Sequence, residues 1–302
     1  MSLPERLKRY FIEQPKPAAV FQVASSRVAC LKVEAEAQSL EDDFFIQRIS
    51  AGAIEPHFSQ PNVKQPEILE ELVERAIQKL KIHGNSVTVI LPEMSSRVFV
   101  FSLSGTFINS VELNKFIDWR LDRQLAQPLS EVRYSYQVFN SGRDKKVLVV
   151  CSGLEVVKEY EAIFQKKKLH PGKLTIPSLS VFNLFSEIKE EDFIVADADY
   201  DYLSLGAVVG GTLYLYRQKQ LSSPVDSSFS SALDSQDAIL KEIENTFHFI
   251  EDKTRKKPEL LGLRLNLEEK EILKRKIQQI VEAEIVDVYP ENQAIAPLLG
   301  GL

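Results

Sequence analysis

Cysteine is scarce in this chain: two in 302 residues, Cys30 in VACLKV and Cys151 in VLVVCSG. Each lies in an apolar run that reads as a buried strand, so the sequence predicts reduced structural thiols, no disulfide, and a cytosolic compartment. Long apolar runs are missing too: no stretch approaches the ~20 consecutive apolar residues of a membrane span. The first residues, MSLPERLKRYFIEQPKP, have no apolar stretch ahead of a small-residue cleavage site, so nothing in them directs the chain out of the cytoplasm. Positive charge is in deficit, 37 Lys and Arg against 43 Asp and Glu, which leaves nucleic acid without the field it needs. His57, His83, His170 and His248 show no metal-ligand spacing and belong to no nucleophile motif, so they are expected on the surface. Neither G-x-x-x-x-G-K-[ST] nor G-x-G-x-x-G occurs, which removes the P-loop and Rossmann readings.

What is present is a patterned α/β chain. With 44% hydrophobic and 26% charged residues it is long enough for one large or two medium cores. Residues 1–17 read as a short amphipathic piece, with Leu3, Leu7, Tyr10 and Phe11 at helical spacing and Pro15 and Pro17 closing it. Strands follow at 20–21, 27–34 and 43–50. A helical stripe covers 66–83, with Gly84 as its expected cap. Strands at 86–91 and 97–103, a helix at 110–127, a hairpin over 132–139 and 145–150, and a helix at 154–168 complete the first half. A strand at 169–175, a helix at 178–185 and a charged linker lead into the second half. It runs through strands at 193–198, 202–208 and 212–217, a serine-rich loop at 222–235, a long helix, a strand at 260–265, a helix at 267–281 and a strand at 284–288. The expected division is 1–17 as an N-terminal segment, 18–186 as a first lobe with an inserted subdomain, and 187–302 as a second lobe. Both halves place strands first and helices after, which points to a duplicated architecture.

Two hairpins stand in equivalent places, AAVFQVASSRVACLKVE and IVADADYDYLSLGAVVGGTLYLYR. With them go VTVILPE at 87–93, the block 117–139 that contains LDRQLAQPLSEVRYSYQVF, the helix ILKEIENTFHFIEDK and the terminal AIAPLLGGL. In order and spacing these blocks resemble the type IV pilus assembly protein PilM family, within the actin-like ATPase superfamily. The resemblance implies a two-lobed actin-like, ribonuclease H-like duplicated α/β fold with mixed sheets flanked by helices.

The departures from that pattern matter as much. A phosphate-binding hairpin of the superfamily carries an acidic residue and a glycine, so that a carboxylate holds hydrated magnesium and the backbone approaches phosphate. Gln22 and Ala24 stand in those places. In the second hairpin Asp197 remains, but Asp199 replaces the glycine two residues on, a carboxylate facing phosphate. Leu265-Asn266-Leu267 stands where a Gly-Gly turn would receive adenosine. The chain thus reads as a divergent, nucleotide-independent member. Against this, Ser25, Ser26, Asp197 and Asp199 are the candidates for residual nucleotide binding, with Asp197 the magnesium ligand if Mg-ATP binds. Asp197, Asp199 and Asp201 alternate as at the start of a calcium loop, but Tyr202 and Val208 break the loop at its glycine and glutamate positions, so no metal site is expected. Gly210-Gly211 reads as a two-residue hairpin turn.

By resemblance the chain is a cytoplasmic scaffold of a type IV pilus or related secretion machine, peripheral to the inner membrane through its partners. It would bind the short cytoplasmic peptide of a PilN-like inner-membrane protein, contact pilus motor components, and form an oligomer. An extended peptide in a groove between subdomains of the first lobe would be read through main-chain hydrogen bonds and apolar pockets. Phe116, Trp119, Arg120, Arg123, Tyr134 and Tyr136 are the candidate peptide-binding residues, and Phe116 and Trp119 also read as core filling. Two other readings stay open: an active actin-like ATPase or small-molecule kinase, and the cytoplasmic part of the type II secretion L component.

Overall fold

The computed structural model describes residues 16–33, 44–103, 109–141, 144–185, 190–221, 229–289 and 291–302. The expected N-terminal amphipathic segment lies almost wholly outside them. Its two large sheets share one strand order. In the first, β1 (Ala19–Val23), β2 (Arg27–Lys32) and β3 (Phe44–Arg48) form an antiparallel meander. β4 (Ser86–Ile90) then adds parallel to β1, and β8 (His170–Thr175) parallel to β4, giving the order β3-β2-β1-β4-β8. In the second sheet β9 (Phe193–Asp199), β10 (Tyr202–Val209) and β11 (Thr212–Gln220) form the meander. β12 (Leu260–Leu265) and β13 (Glu284–Asp287) add in parallel, giving β11-β10-β9-β12-β13. The duplicated layout expected from the order of elements is therefore the observed fold.

Each sheet buries its outer face under helices with apolar stripes. α1 (Pro66–Leu80) presents Leu69, Leu72, Val73, Ala76 and Leu80 to the first sheet, and α3 (Leu154–Lys166) presents Val156, Tyr160, Ile163 and Phe164. Phe164 meets Phe21 edge to face at 5.2 Å between ring centres. α5 (Phe229–Thr254) and α6 (Lys270–Ile280) cover the second sheet through Ile239, Ile243, Ile250, Leu273 and Ile277. Two short helices, α4 (Pro177–Asn183) and α7 (Ala296–Gly300), join the inner faces: Val181 and Ala296 pack with Val195 of β9, and Leu298 packs with Val20 of β1. At Gly300 a Cβ would lie 1.7 Å from the Ser180 carbonyl oxygen, so the terminal small-residue segment is a packing requirement.

A third sheet, inserted between β4 and α3, has the order β5-β7-β6 from Ser96–Leu103, Asp144–Gly153 and Val132–Ser141. α2 (Ser110–Gln124) lies on one face of it, burying Ile117 and Leu121 against Phe101, Val147 and Val149. Asn109 starts this helix by accepting from the amides of Val111 and Glu112, both at 3.0 Å.

The structure departs from the sequence reading at a few ends. α1 stops at Leu80 through Lys81 in the left-handed region, φ 51°, not through Gly84. Gly84 instead admits Ala18, whose Cβ would sit 2.5 Å from an added Cβ. α5 is helical from Phe229, so helix takes over part of the expected serine-rich loop, whose residues 222–228 lie outside the described ones. Asp197 and Asp199 lie on β9, but Asp201 belongs to the turn after it. Gly210 and Gly211, at φ 60° and 68°, make the expected tight turn between β10 and β11. Both cysteines are buried and unpaired, burial pushing the Cys151 thiol up to about 12 and Cys30 well above its ordinary value. All four histidines are exposed. Among the described residues no helix is long and apolar enough to cross a membrane.

Candidate functional site

The inner faces of the two large sheets meet at a buried cluster of charge. Side chains alternate along β9, so Ile194, Ala196 and Ala198 face the outer core while Asp197 and Asp199 face the first lobe. Arg264 on β12 is the register neighbour of Asp197. Its Nη1 donates to Asp197 Oδ1 at 2.5 Å and to the Tyr202 hydroxyl at 3.2 Å, its Nη2 to Asp199 Oδ2 at 3.0 Å, and its Nε to the Gln293 carbonyl at 2.7 Å. Tyr202 donates to the other oxygen of Asp197 at 2.9 Å. From the first lobe, Arg27 on β2 forks onto Asp199, Nη1 to Oδ1 at 3.2 Å and Nη2 to Oδ2 at 2.7 Å. Asn266 and the Tyr200 amide complete the shell of Asp199 at 3.0 Å each. Two carboxylates and two guanidiniums thus form a neutral set shut away from water.

The surroundings set the protonation of these groups. Burial alone would raise Asp199, but Arg27 and Arg264 overcome it and hold the carboxyl well below the usual range. Burial dominates at Asp197 and, with Glu93 and Asp199 nearby, pushes it up to about 6 against the pull of Arg264. Arg27 and Arg264 are both raised: the penalty of burial is outweighed at Arg27 by Asp199 and at Arg264 by Asp197, Tyr202 and Asp199.

A second buried clasp joins the lobes at Glu93, which follows Leu91-Pro92 at the end of β4. Its Oε1 accepts from the hydroxyls of Ser178 at 2.8 Å, Ser204 at 2.8 Å and Tyr216 at 2.7 Å, and from Gln218 Nε2 at 2.8 Å. Its Oε2 accepts from the Ser178 amide in the first turn of α4 at 3.1 Å. Ser204, Tyr216 and Gln218 all belong to β10 and β11 of the second lobe.

Ser25 and Ser26, the tip of the first hairpin, line a cleft of about 210 Å³ together with Gly52, Glu55, Met94, Asp201 and Gln220. Asp201 accepts a hydrogen bond from Ser25, and burial together with Asp199 raises its carboxyl to about 6. The four nucleotide candidates therefore separate: the two serines border the cleft, and Asp197 and Asp199 lie in the buried cluster with their oxygens engaged. A cation at either aspartate would have to displace a guanidinium. Gln22 is fully buried with neither side-chain atom hydrogen-bonded, and Ala24 keeps its Cβ, so the first hairpin supplies no anionic ligand. These residues do not match a magnesium–triphosphate site. Among the described residues no group of three or more His, Cys, Asp or Glu is placed to hold a metal.

The six peptide-binding candidates all lie on the inserted subdomain, with the Arg120 guanidinium 4.6 Å from the ring centre of Phe101 on β5. Phe116, Trp119, Arg120 and Arg123 lie on α2, Tyr134 and Tyr136 on β6 beneath it. The Tyr134 hydroxyl donates to Asp118 Oδ1 at 2.7 Å, which pins helix to strand and, after burial, helps raise the phenol to about 12. Phe116, Tyr134 and Tyr136 pack partly buried against the subdomain core. Trp119 is 47% exposed, with the Arg123 guanidinium 4.4 Å and that of Arg120 6.0 Å from its ring centre.

Sequence reasoning did not single out Arg27, Arg264 or Glu93. A signal for Arg264 existed: an arginine inside LLGLRL, an apolar run flanked by parallel neighbours, must be buried and therefore paired. Nothing local marks Arg27, whose partner is 172 positions away.

No protein-family model matches the chain, and no curated protein matches it in sequence. Solved structures do. A chain of the PilM–PilN type IV pilus biogenesis complex aligns at 15% identity and a TM-score of 0.71, covering 95% of this chain and 97% of that one. A Bacteroides thetaiotaomicron protein with an actin-like ATPase fold aligns at 11% identity and a TM-score of 0.54, covering 93% and 95%. More distant is the cytoplasmic domain of EpsL, an inner-membrane component of the Vibrio cholerae type II secretion system, at 12% identity and a TM-score of 0.47, covering 86% and 94%. The chain has the actin-like fold, in the two-lobed form it shares over nearly its whole length with that chain of the PilM–PilN complex.

Proposed function

We propose that this protein is a non-catalytic actin-like scaffold of type IV pilus or related secretion machinery. It binds the N-terminal cytoplasmic peptide of a PilN-like inner-membrane protein and hydrolyses no ATP. The observation that carries the non-catalytic half is the pairing of Asp197 and Asp199 with Arg264 and Arg27, where a nucleotide-using relative would need free carboxylates for a cation. Internal guanidiniums supply the positive charge that magnesium would bring, and they are part of the chain. The partner half is supported by the likeness to a chain of the PilM–PilN complex. Partner binding is assigned to Phe116, Trp119, Arg120, Arg123, Tyr134 and Tyr136 on the inserted subdomain, and the protein works at the cytoplasmic side of the inner membrane, held there by its partner.

The test is titration with a PilN-like N-terminal peptide, using the wild type and the Trp119→Ala and Arg123→Ala variants. Both side chains are exposed, so the melting temperature should hold while affinity falls. Unchanged affinity would remove the peptide from this face, and absence of binding by the wild type would remove the partner.

A further inference from the structure

The cleft at the tips of the two hairpins carries the wrong charge for phosphate. A phosphate site between such hairpins needs backbone donors and a cation. Here Ser25 and Ser26 of the first tip meet Asp201, in the turn after β9, and Glu55 and Gln220 complete the polar lining. The charged residues that line the cleft are thus both acids. The rest of the wall is apolar: Ile49, Ala51, Ile54 and Pro56 from the segment after β3, and Met94 beyond β4. Ile49, Ile54 and Met94 are otherwise buried, so the cleft is where they meet an open volume.

Neither acid is fully answered within the fold. Asp201 accepts from the Ser25 hydroxyl and from its own amide, and among the described residues no cation forms an ion pair with it. Burial and Asp199 both work against its charge, while Arg27, committed to Asp199 at 2.7 Å, attracts it only from a distance. Glu55 is exposed, and its ion pair with Lys64 is long, 3.8 Å, and open to solvent. A positive group in the cleft would give Asp201 the compensation that Arg27 gives Asp199. A bare divalent metal wants a shell of oxygens, and much of this lining is hydrocarbon. An ammonium on an alkyl stem matches both parts. Its three donors suit carboxylate, hydroxyl and amide oxygens, and its stem suits Ile49, Ile54 and Met94.

We propose that this cleft binds an alkylammonium group, with Asp201 and Glu55 holding the charged head and the aliphatic wall holding the stem. The group belongs either to a free amine or to a lysine side chain of another protein, and its chemistry is the same in both. The cleft has changed the sign of its ligand: where the fold elsewhere receives an anion with its metal, two carboxylates here receive an organic cation. The inserted subdomain supplies none of the lining residues, so this proposal goes beyond the scaffold reading and stands apart from it.

The test is calorimetric titration of the full chain with putrescine, with N-acetyl-lysinamide and with succinate, a dianion of putrescine's length. Both amines are expected to bind saturably, more weakly as salt is added, and succinate not at all. Asp201→Asn is expected to weaken putrescine on the order of tenfold, the loss of one charge-assisted contact. Should that variant not fold, Glu55→Gln, at an exposed position, keeps the test and is expected to weaken it by a smaller factor. Amide exchange should slow at the cleft segments 24–27 and 49–56 when putrescine is present. Tighter binding of putrescine upholds the proposal with a free amine as ligand, and tighter binding of N-acetyl-lysinamide upholds it with a protein lysine. No saturable binding of either amine, succinate binding as well as putrescine, putrescine affinity unchanged in both variants, or protection confined to other segments would each overturn it. So would displacement of putrescine by an equal concentration of calcium, which would make the cleft a metal site.

Discussion

Arg27 and Asp199 face each other across the two lobes as a buried bidentate ion pair, with contacts of 3.2 and 2.7 Å, at the ends of the two hairpins. Each comes from the strand beside its hairpin turn, so the pair ties together the elements that in a nucleotide-using relative would grip phosphate from both sides. Arg264 extends the tie to Asp197. A buried ion pair is weak evidence of net stability, because desolvation offsets most of the attraction. What it does impose is a fixed geometry, since the remaining charge cannot be left alone.

Arg27→Ala should therefore destabilise the fold by about 3–5 kcal/mol, as Asp199 keeps its charge with fewer partners. Arg27→Met combined with Asp199→Asn should lose clearly less than the sum of the single changes. Urea unfolding of the four proteins of this cycle measures the coupling. Additive losses would show that the pair does not join the lobes.

Glu93 makes a parallel case with no cation involved. Glu93→Ala strips the acceptor from Ser178, Ser204, Tyr216 and Gln218 at once and should remove about 3 kcal/mol or more. Glu93→Gln keeps one acceptor oxygen and should fall between it and the wild type. A loss within about 0.5 kcal/mol for the alanine variant, the range of a surface change, would contradict the clasp.

The fold was legible because it is written in short-range pattern. The strands of both large sheets and the helices α1 and α3 follow from periodicity, and the Gly210-Gly211 turn from the freedom of glycine at positive φ. Gly84 was misread because its role is to admit Ala18 from another element, which no local rule registers. At the site, the losses at Gln22 and Ala24 were visible in the sequence, while the gains were not. Asp199 looked like a carboxylate that repels phosphate, and only the folded chain shows that it serves as the anchor for Arg27 and Arg264. Such compensation is long-range, and one sequence carries no sign of which distant cation answers a given acid.

Asp201 gives a pH signature. Its folded value of about 6 lies above the roughly 3.9 of an unfolded aspartate, so the folded state holds the proton more tightly. The resulting stability is present at pH 4 and lost as pH rises through 6. Asp201→Asn removes this dependence, and the variant should gain on the wild type between pH 4 and 7. Melting curves across that range check it; a constant difference would mean that Asp201 titrates normally.

Two glycines, one between the lobes and one in the exposed β10–β11 turn, divide by what surrounds them. Gly300→Ala meets the backbone of Ser180 and should cost about 1–3 kcal/mol or more, because α4 and α7 must separate. Gly210→Ala meets nothing and bears only the strain of φ 60°, about 1 kcal/mol. Thermal unfolding should rank Gly300→Ala well below Gly210→Ala, and the reverse order would contradict the packing of α7 between the lobes.

Calorimetric titration with Mg-ATP, with and without a PilN-like N-terminal peptide, tests the central claim most directly. A nucleotide-independent scaffold gives heat with the peptide and none with Mg-ATP, because Arg27 and Arg264 already hold Asp199 and Asp197. Micromolar Mg-ATP binding that disappears in Asp197→Ala would contradict it and show that the aspartate exchanges its guanidinium for a metal.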